Sequence, residues 1–307
     1  MTQPKLNAVP TPESLPKGIQ RIRSLPNPEF DALWESIVVP VALKDRLRGQ
    51  AVLNFTLRKR VPRSILPLHG VILMVGPPGT GKTSLALGLA SRIAAAIEAS
   101  TFRLLEVEPH ALTSSAMGRT QRAVSDLFSQ AIAETASEGP TIVLLDEVET
   151  LASDRSKLSL DANPIDIHRA TDAVLVQLDA LAEQFPDLLF IATSNFPKAV
   201  DSAFTSRCDL VLTVPLPDRS ACEQILTECL GGLAAAFPSL GALKTASCFA
   251  ACVDACEGLD GRAIRKSVAA ALATNAEIAL DPNRLTVDDL LTTLQTQQTQ
   301  RLQEVQP

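Results

Sequence analysis

The 307-residue sequence predicts a doubly wound α/β domain with a five-stranded parallel sheet, followed by an all-α domain. Three observations predict it. Five apolar runs alternate with helix-like segments between residues 70 and 217. A glycine-rich loop joins the first run to the first of those helices. After Pro217 the strand-like runs stop. The runs are "VILMV" (71–75), "FRLLEV" (102–107), "IVLLD" (142–146), "LLFIATS" (188–194) and "LVLTV" (210–214). Parallel strands covered on both faces read as continuous apolar runs of this kind. Helices are predicted between them over roughly 82–98, 120–137 and 167–184.

Residues 1–28, rich in proline and polar side chains, read as an extended arm. The stretch from Phe30 carries the only tryptophan, Trp34, and takes on helical spacing after Pro40; with the strands it makes a large domain over 29–217. Four helical segments, "SACEQILTECLGGLAAAF", "TASCFAACVDAC", "GRAIRKSVAAALATNAEIA" and "TVDDLLTTLQTQQTQRLQEV", fill a small domain over 218–307. Thr286, with Asp289 three residues on, reads as a variant of the capping box.

Composition narrows the function classes. Hydrophobic residues make up 46%, as in a globular protein. The net charge of −6, with no dominant basic block, argues against nucleic acid as the main partner. No apolar run reaches membrane-spanning length and the N-terminus has no signal-like core, so a cytoplasmic protein is expected. Cys248, Cys252 and Cys256 fall at i, i+4 and i+8, one face of a helix. Without CxxC pairs, they and Cys208, Cys222 and Cys229 read as small buried thiols.

The chemistry is carried by "GPPGTGKT": Gly76, Pro77, Pro78, Gly79, Thr80, Gly81, Lys82 and Thr83. It fits G-x-x-x-x-G-K-[ST] at a strand-to-helix junction, the context that gives the motif meaning. Glycines let the backbone curl its N–H groups toward phosphate oxygens, and the new helix adds its positive end. Lys82 is expected to reach the β- and γ-phosphates of ATP, and Thr83 to offer its hydroxyl to Mg²⁺. "IVLLDE" ends in Asp146 and Glu147, at the strand end where such sheets bind ligands. Asp146 is expected to hold the metal through water, and Glu147 to polarise the attacking water. Asn195, closing "IATSN", is placed to orient that water.

In this order and spacing, "GPPGTGKTSL", "IVLLDEVETLASDR", "IATSN", "VDSAFTSRCDL" and "EGLDGRAIRK" resemble the AAA+ ATPases. With "PIDIHRATDAVLVQLDAL" they resemble the pachytene-checkpoint branch, also described as thyroid-receptor-interacting-protein-type remodellers. The resemblance covers about residues 32–305. It implies a P-loop NTPase with a large α/β subdomain and a helical lid, assembled as a homo-hexamer. It also implies hydrolysis of ATP to ADP and phosphate. Glu147 then takes the part of the catalytic acid, Asn195 that of the γ-phosphate sensor, and Arg207 that of an arginine finger reaching the ATP of the adjacent subunit. Arg262 matches the second sensor arginine, with Arg265 close enough to be confused with it.

In that family the loop after the second of these strands lines a central pore and grips the substrate. The matching positions are Ala116 and Met117, where the family carries an aromatic next to another bulky residue, and Gly118 beside them would let the loop move. Arg119 is placed to tune the pore charge, and a second loop, Ser153 to Asn163, to line the pore beneath. The resemblance further implies a HORMA-domain protein as substrate and, given the short N-terminal segment, the compact bacterial form that accompanies anti-phage signalling. Two other readings are a protease-feeding AAA+ unfoldase and a nucleotide-gated scaffold or DNA-binding switch. The first needs a hydrophobic docking tripeptide, which "QEVQP" lacks; the second needs a basic domain after the lid.

Overall fold

The structure, a computed structural model, describes residues 15–97, 101–112, 119–152 and 164–305. They group into two compact units. One holds the residues up to Glu35, Val41–Val75 and Lys82–Thr213; the other holds Ser36–Pro40, Gly76–Gly81 and the chain from Val214 on.

The first unit is a six-stranded sheet ordered β1-β3-β4-β5-β2-β6. Its strands are β1 (Ile19–Leu25), β2 (Val71–Val75), β3 (Phe102–Val107), β4 (Thr141–Leu145), β5 (Leu188–Ser194) and β6 (Leu210–Thr213). The five predicted strands are all present and parallel. Every residue of β2, β4 and β5 is buried, which is why they read as unbroken apolar runs.

The sixth strand corrects the expectation of an extended arm at residues 19–25, while residues 1–14 of that arm lie outside the described residues. Residues 19–25 pair antiparallel with β3 at the sheet edge, from Ile19 opposite Val107 to Leu25 opposite Phe102. The register shifts between Ile19 and Arg21, so the bulge breaks the alternation that would have exposed "IQRIRSL" as a strand. Across this pair Arg23 Nε donates to Glu106 Oε1 at 2.8 Å.

The helices of this unit are α1 (Pro28–Ser36), whose last residue belongs to the other unit, α2 (Val41–Leu57), α3 (Lys82–Ala96), α4 (Arg119–Asp126), α5 (Ala133–Glu138), α6 (Pro164–Gln184) and α7 (Ser202–Thr205). Trp34 and Phe30 form the buried face of α1. The helix predicted over 120–137 is interrupted by a π-helical stretch, Leu127–Ile132, which turns Leu127, Phe128, Ala131 and Ile132 inward. There Phe128 stacks on Phe190 of β5 at 5.8 Å between centroids.

The second unit contains α8 (Arg219–Ala234), α9 (Ser239–Ala242), α10 (Phe249–Asp254), α11 (Gly261–Leu272), α12 (Ala276–Leu280) and α13 (Val287–Val305). Their apolar faces close around Ile225, Leu226, Leu230, Cys252, Val268, Leu290 and Leu294. Aspartate or asparagine caps start three of them: Asp218 accepts from the amide of Ala221, Asp260 from Ala263 and Asn275 from Ile278. Thr286 and Asp289 exchange hydrogen bonds, Asp289 N–H to Thr286 Oγ1 at 3.2 Å and Thr286 N–H to Asp289 Oδ2 at 3.1 Å, which is the predicted capping box.

The cysteine face is different from the expected one. Only residues 249–254 are helical there, too short to carry Cys248, Cys252 and Cys256 as one stripe. Cys252 and Cys256 are buried, and all six cysteines are free thiols. Burial pushes the Cys252 and Cys222 thiols up to about 11 and that of Cys256 higher still. Among the described residues no group of three His, Cys, Asp or Glu side chains could hold a metal ion.

Candidate nucleotide site

The loop after β2 is shaped by its glycines. Gly76, Gly79 and Gly81 have φ of +154°, +80° and +89°, conformations that L side chains rarely adopt. Thr80 Oγ1 donates to Pro77 O at 2.9 Å and closes the turn. Gly79 also lies against the start of α11: a Cβ there would come within 2.0 Å of Asp260 Oδ1. Its carbonyl accepts from the backbone N–H of Arg262 at 3.3 Å. So the "GLDGR" segment and the loop pack together within the second unit.

In the first unit, Lys82 and Thr83 open α3, and Lys82 is only 5% exposed. Thr83 Oγ1 lies 3.0 and 3.1 Å from the two carboxylate oxygens of Asp146, to which it donates. Asp146 follows β4 and accepts a second hydroxyl, from Thr193 near the end of β5. Glu147 is the one non-glycine residue with positive φ among the described residues, at 54° with ψ 52°. Consecutive residues of an extended strand point to opposite faces. The left-handed step at Glu147 departs from that geometry and re-aims its side chain. Its Oε1 accepts from Asn195 Nδ2 at 3.1 Å, and its Oε2 lies 3.3 Å from His110 Nε2. The backbone N–H of Asn195 donates to Glu149 Oε1 at 3.1 Å, fixing the chain as it leaves β5.

Thr83, Asp146, Glu147 and Asn195 are therefore brought together. Arg207 is not brought to them. Its guanidinium forks onto Asp179 of α6, with Nε to Oδ1 at 2.9 Å and Nη2 to Oδ2 at 2.8 Å, and Nη1 donates to Ala203 O at 2.9 Å. The fork holds the Asp179 carboxyl below its usual range and pushes Arg207 up. His69 Nε2 stands 3.5 Å from the same carboxylate. Of the two arginines that sequence leaves open, Arg265 is engaged: Nη2 donates to Ser36 O at 2.8 Å, and Glu228 Oε2 lies at 3.8 Å. Arg262 is exposed on the first turn of α11. Ala116, Met117, Gly118 and the loop from Ser153 to Asn163 lie outside the described residues, as does the side chain of Arg119.

Sequence reasoning missed His110 and gave Thr193 no task. The sheet register carries the signal for both. Val107 of β3 is opposite Leu145 of β4, so the residues after β3 fall beside those after β4. Ala192 of β5 also lies opposite Leu145, which sets Thr193 beside Asp146. The set suits a magnesium nucleotide. Thr83 and Asp146 offer adjacent hard oxygen donors, and positive-φ glycines precede a buried lysine at a helix start.

Residues 72–216 match the sequence profile of the ATPase family associated with various cellular activities (AAA). The chain is 64% identical over 290 residues to CD-NTase-associated protein 6 of Pseudomonas aeruginosa, covering 94% of this chain and 95% of that one. It is 38% identical over 213 residues to a pachytene checkpoint protein 2 homolog of Oryza sativa subsp. indica, and spans 45% of that protein's length. In structure it is similar to Caenorhabditis elegans PCH-2, with a TM-score of 0.73 at 26% identity over 94% of this chain and 77% of that one. A chain of an E. coli HORMA:CdnC:Trip13 complex shares the fold, with a TM-score of 0.70 at 20% identity over 94% of this chain and 97% of that one.

Proposed function

The chain belongs to the AAA ATPases, in the group of CD-NTase-associated protein 6 and the pachytene checkpoint proteins, and on that premise we propose that it is an ATP-driven, ring-forming remodeller of a HORMA-domain protein in bacterial anti-phage signalling. The observation that carries the ATPase reading is one hydrogen-bonded series, Thr83 to Asp146 to Thr193 to Glu147 to Asn195, at the C-terminal ends of neighbouring parallel strands. Doubly wound sheets bind their ligands at such strand ends.

In this reading the loop 76–81 and Lys82 cradle the phosphates of ATP. Thr83 and Asp146 hold Mg²⁺, Asp146 through water; the chemistry the metal supplies when bound is neutralisation of charge on the phosphate oxygens. Glu147 takes a proton from the attacking water. Asn195 holds the Glu147 carboxylate by one oxygen and orients the water beside the γ-phosphate. Arg262 acts from the helical unit on the phosphates of its own chain.

Arg207 acts on the ATP of a neighbouring copy. Its ties to Asp179 and Ala203, and none to Asp146 or Glu147, support that assignment. An interface in which one copy's arginine completes the next copy's site is head-to-tail, and such interfaces close into rings or run on as filaments; the reading takes the ring. The ring proposed is a homo-hexamer, the assembly that the resemblance to the AAA+ ATPases implies. The HORMA substrate is supported by the likeness to the chain of the E. coli complex, and its handling falls to Met117 and its neighbours in the predicted pore. Among the described residues no helix is long and apolar enough to cross a membrane, which accords with work in the cytoplasm.

Glu147→Gln tests the reading. It is expected to lower turnover by about 10²–10⁴-fold while ATP still binds, and in ATP to retain a HORMA-domain protein on a pull-down. Turnover at the parent rate would remove Glu147 from its role, and a pull-down without any HORMA-domain protein would count against the substrate.

A further inference from the structure

We propose that Thr193 is a positioning residue of the hydrolytic site, one hydroxyl that aims two consecutive carboxylates at once. The inference rests on reading the site as an ATPase centre. Thr193 is 2% exposed on β5, between β4, which leads into the two acids, and β2, which leads into the loop. Its Oγ1 donates to Asp146 Oδ1 and stands 3.3 Å from the backbone N–H of Glu147, from which it accepts.

The direction of both bonds is forced. A backbone N–H only donates, and a carboxylate only accepts. The one hydroxyl proton therefore belongs to Asp146, and a lone pair to Glu147. A hydroxyl fills both requirements, whereas a methyl group of the same size fills neither.

Each bond has a consequence. The first fixes the carboxylate that is to hold the metal. Thr83 also donates to Asp146 here, but in the proposed function its hydroxyl has a second task at the metal. Thr193 is the anchor with no such second task. The second bond restrains the amide at Glu147, the residue with φ of +54°. A bulky side chain adopts that region only where its surroundings impose it. Two residues on, just past the end of β5, Asn195 Nδ2 holds the side chain through Glu147 Oε1. Thr193 on the strand and Asn195 beyond it thus act at i and i+2, one on the Glu147 backbone and the other on its carboxylate.

The test compares the parent protein with Thr193→Val and Thr193→Ser. Three quantities are read: ATPase rate as a function of ATP and of magnesium, magnesium-dependent binding of a fluorescent ADP analogue, and Tm. Thr193→Val is expected to lower kcat about ten- to a hundredfold with little change in KM for ATP. It should also raise the magnesium concentration for half-maximal analogue binding about tenfold, as outer-shell changes at metal sites do. Thr193→Ser, which keeps the hydroxyl, should return both quantities close to parent values. If Val prevents folding, Thr193→Ala carries the same comparison.

A folded Thr193→Val protein with the parent's kcat and magnesium dependence would overturn the proposal. So would a Ser variant as impaired as the Val variant, because the methyl packing would then be what matters. Failure of the ATPase reading is a separate result. It would show as a parent protein that hydrolyses no ATP, and the magnesium dependence of analogue binding would still judge Thr193.

Discussion

Two parts of the sheet unit are built on different plans. At the ends of β4 and β5, functional groups hold one another: Thr83 and Thr193 on Asp146, Asn195 on Glu147. At the turn after α7, Arg207 is held by Asp179 and by the carbonyl of Ala203, groups with no part in the proposed chemistry. Groups that act on their own chain's ligand can orient each other before it arrives, which lowers the cost of reaching a productive geometry. A group that acts across an interface has no such partners in its own chain. A local carboxylate holds it instead, and the acceptor it meets elsewhere must compete with that carboxylate.

The largest effect that bears on this contrast is expected from Arg207→Ala. Under the proposed function it lowers turnover on the order of 10³-fold, the usual worth of an arginine finger, while nucleotide affinity per chain stays at the parent value. Arg207→Lys should not restore the rate, because an ammonium lacks the planar fork. A matching loss of nucleotide affinity, seen by titration, would mean that Arg207 serves its own chain's site and would break the contrast.

Asp179→Asn is expected to act mainly on stability. The Asp179 side chain is 40% exposed, so loss of the pair should cost about 1 kcal/mol or less, a fall in Tm of about 2–4 °C at most for a domain of this size. Turnover should stay at or above the parent rate, since the competitor for Arg207 is gone. If turnover collapsed as in Arg207→Ala, Asp179 would belong to the machinery and not to a resting hold.

The smallest effect is a pH slope. Burial pushes the His69 pKa below its usual value, with Arg63 acting in the same direction and Asp209 and Asp179 opposing. The folded-state pKa is depressed, so the unfolded chain binds more protons as the pH falls. The stability held in neutral His69 is complete above the unfolded value of about 6.5 and is lost as pH falls through the folded value. His69→Gln should therefore flatten the fall of Tm below about pH 6.5. An unchanged slope would mean that burial does not hold His69 in its neutral form.

What could be read in sequence follows the same division. Continuous apolar runs gave away β2, β4 and β5 because burial on both faces leaves no alternation to misread. The loop and the two acids were legible because, in the proposed function, phosphate and metal demand their residue types at fixed positions along the chain. β1 was hidden by its bulge and by the prolines around it. The interruption of the 120–137 helix depends on what Phe128 meets across the core, and Phe190 lies far along the chain. Thr193 and His110 owe their places to strand register, which local pattern does not carry. The Asp179 partner of Arg207 is likewise a tertiary fact: nothing in "VQLDAL" distinguishes it from any exposed helix carboxylate.

The central claim is that Glu147 and Arg207 of different chains serve one ATP. Mixing Arg207→Ala subunits with Glu147→Gln subunits tests it most directly. Each variant alone is expected to be nearly inactive. In mixed rings, an intact Glu147 on an Arg207→Ala chain faces an intact Arg207 on its neighbour, so ATPase activity should rise with mixing to a substantial fraction of the parent rate. A mixture no more active than the sum of its two parts, with mixed rings shown to form, would contradict the account.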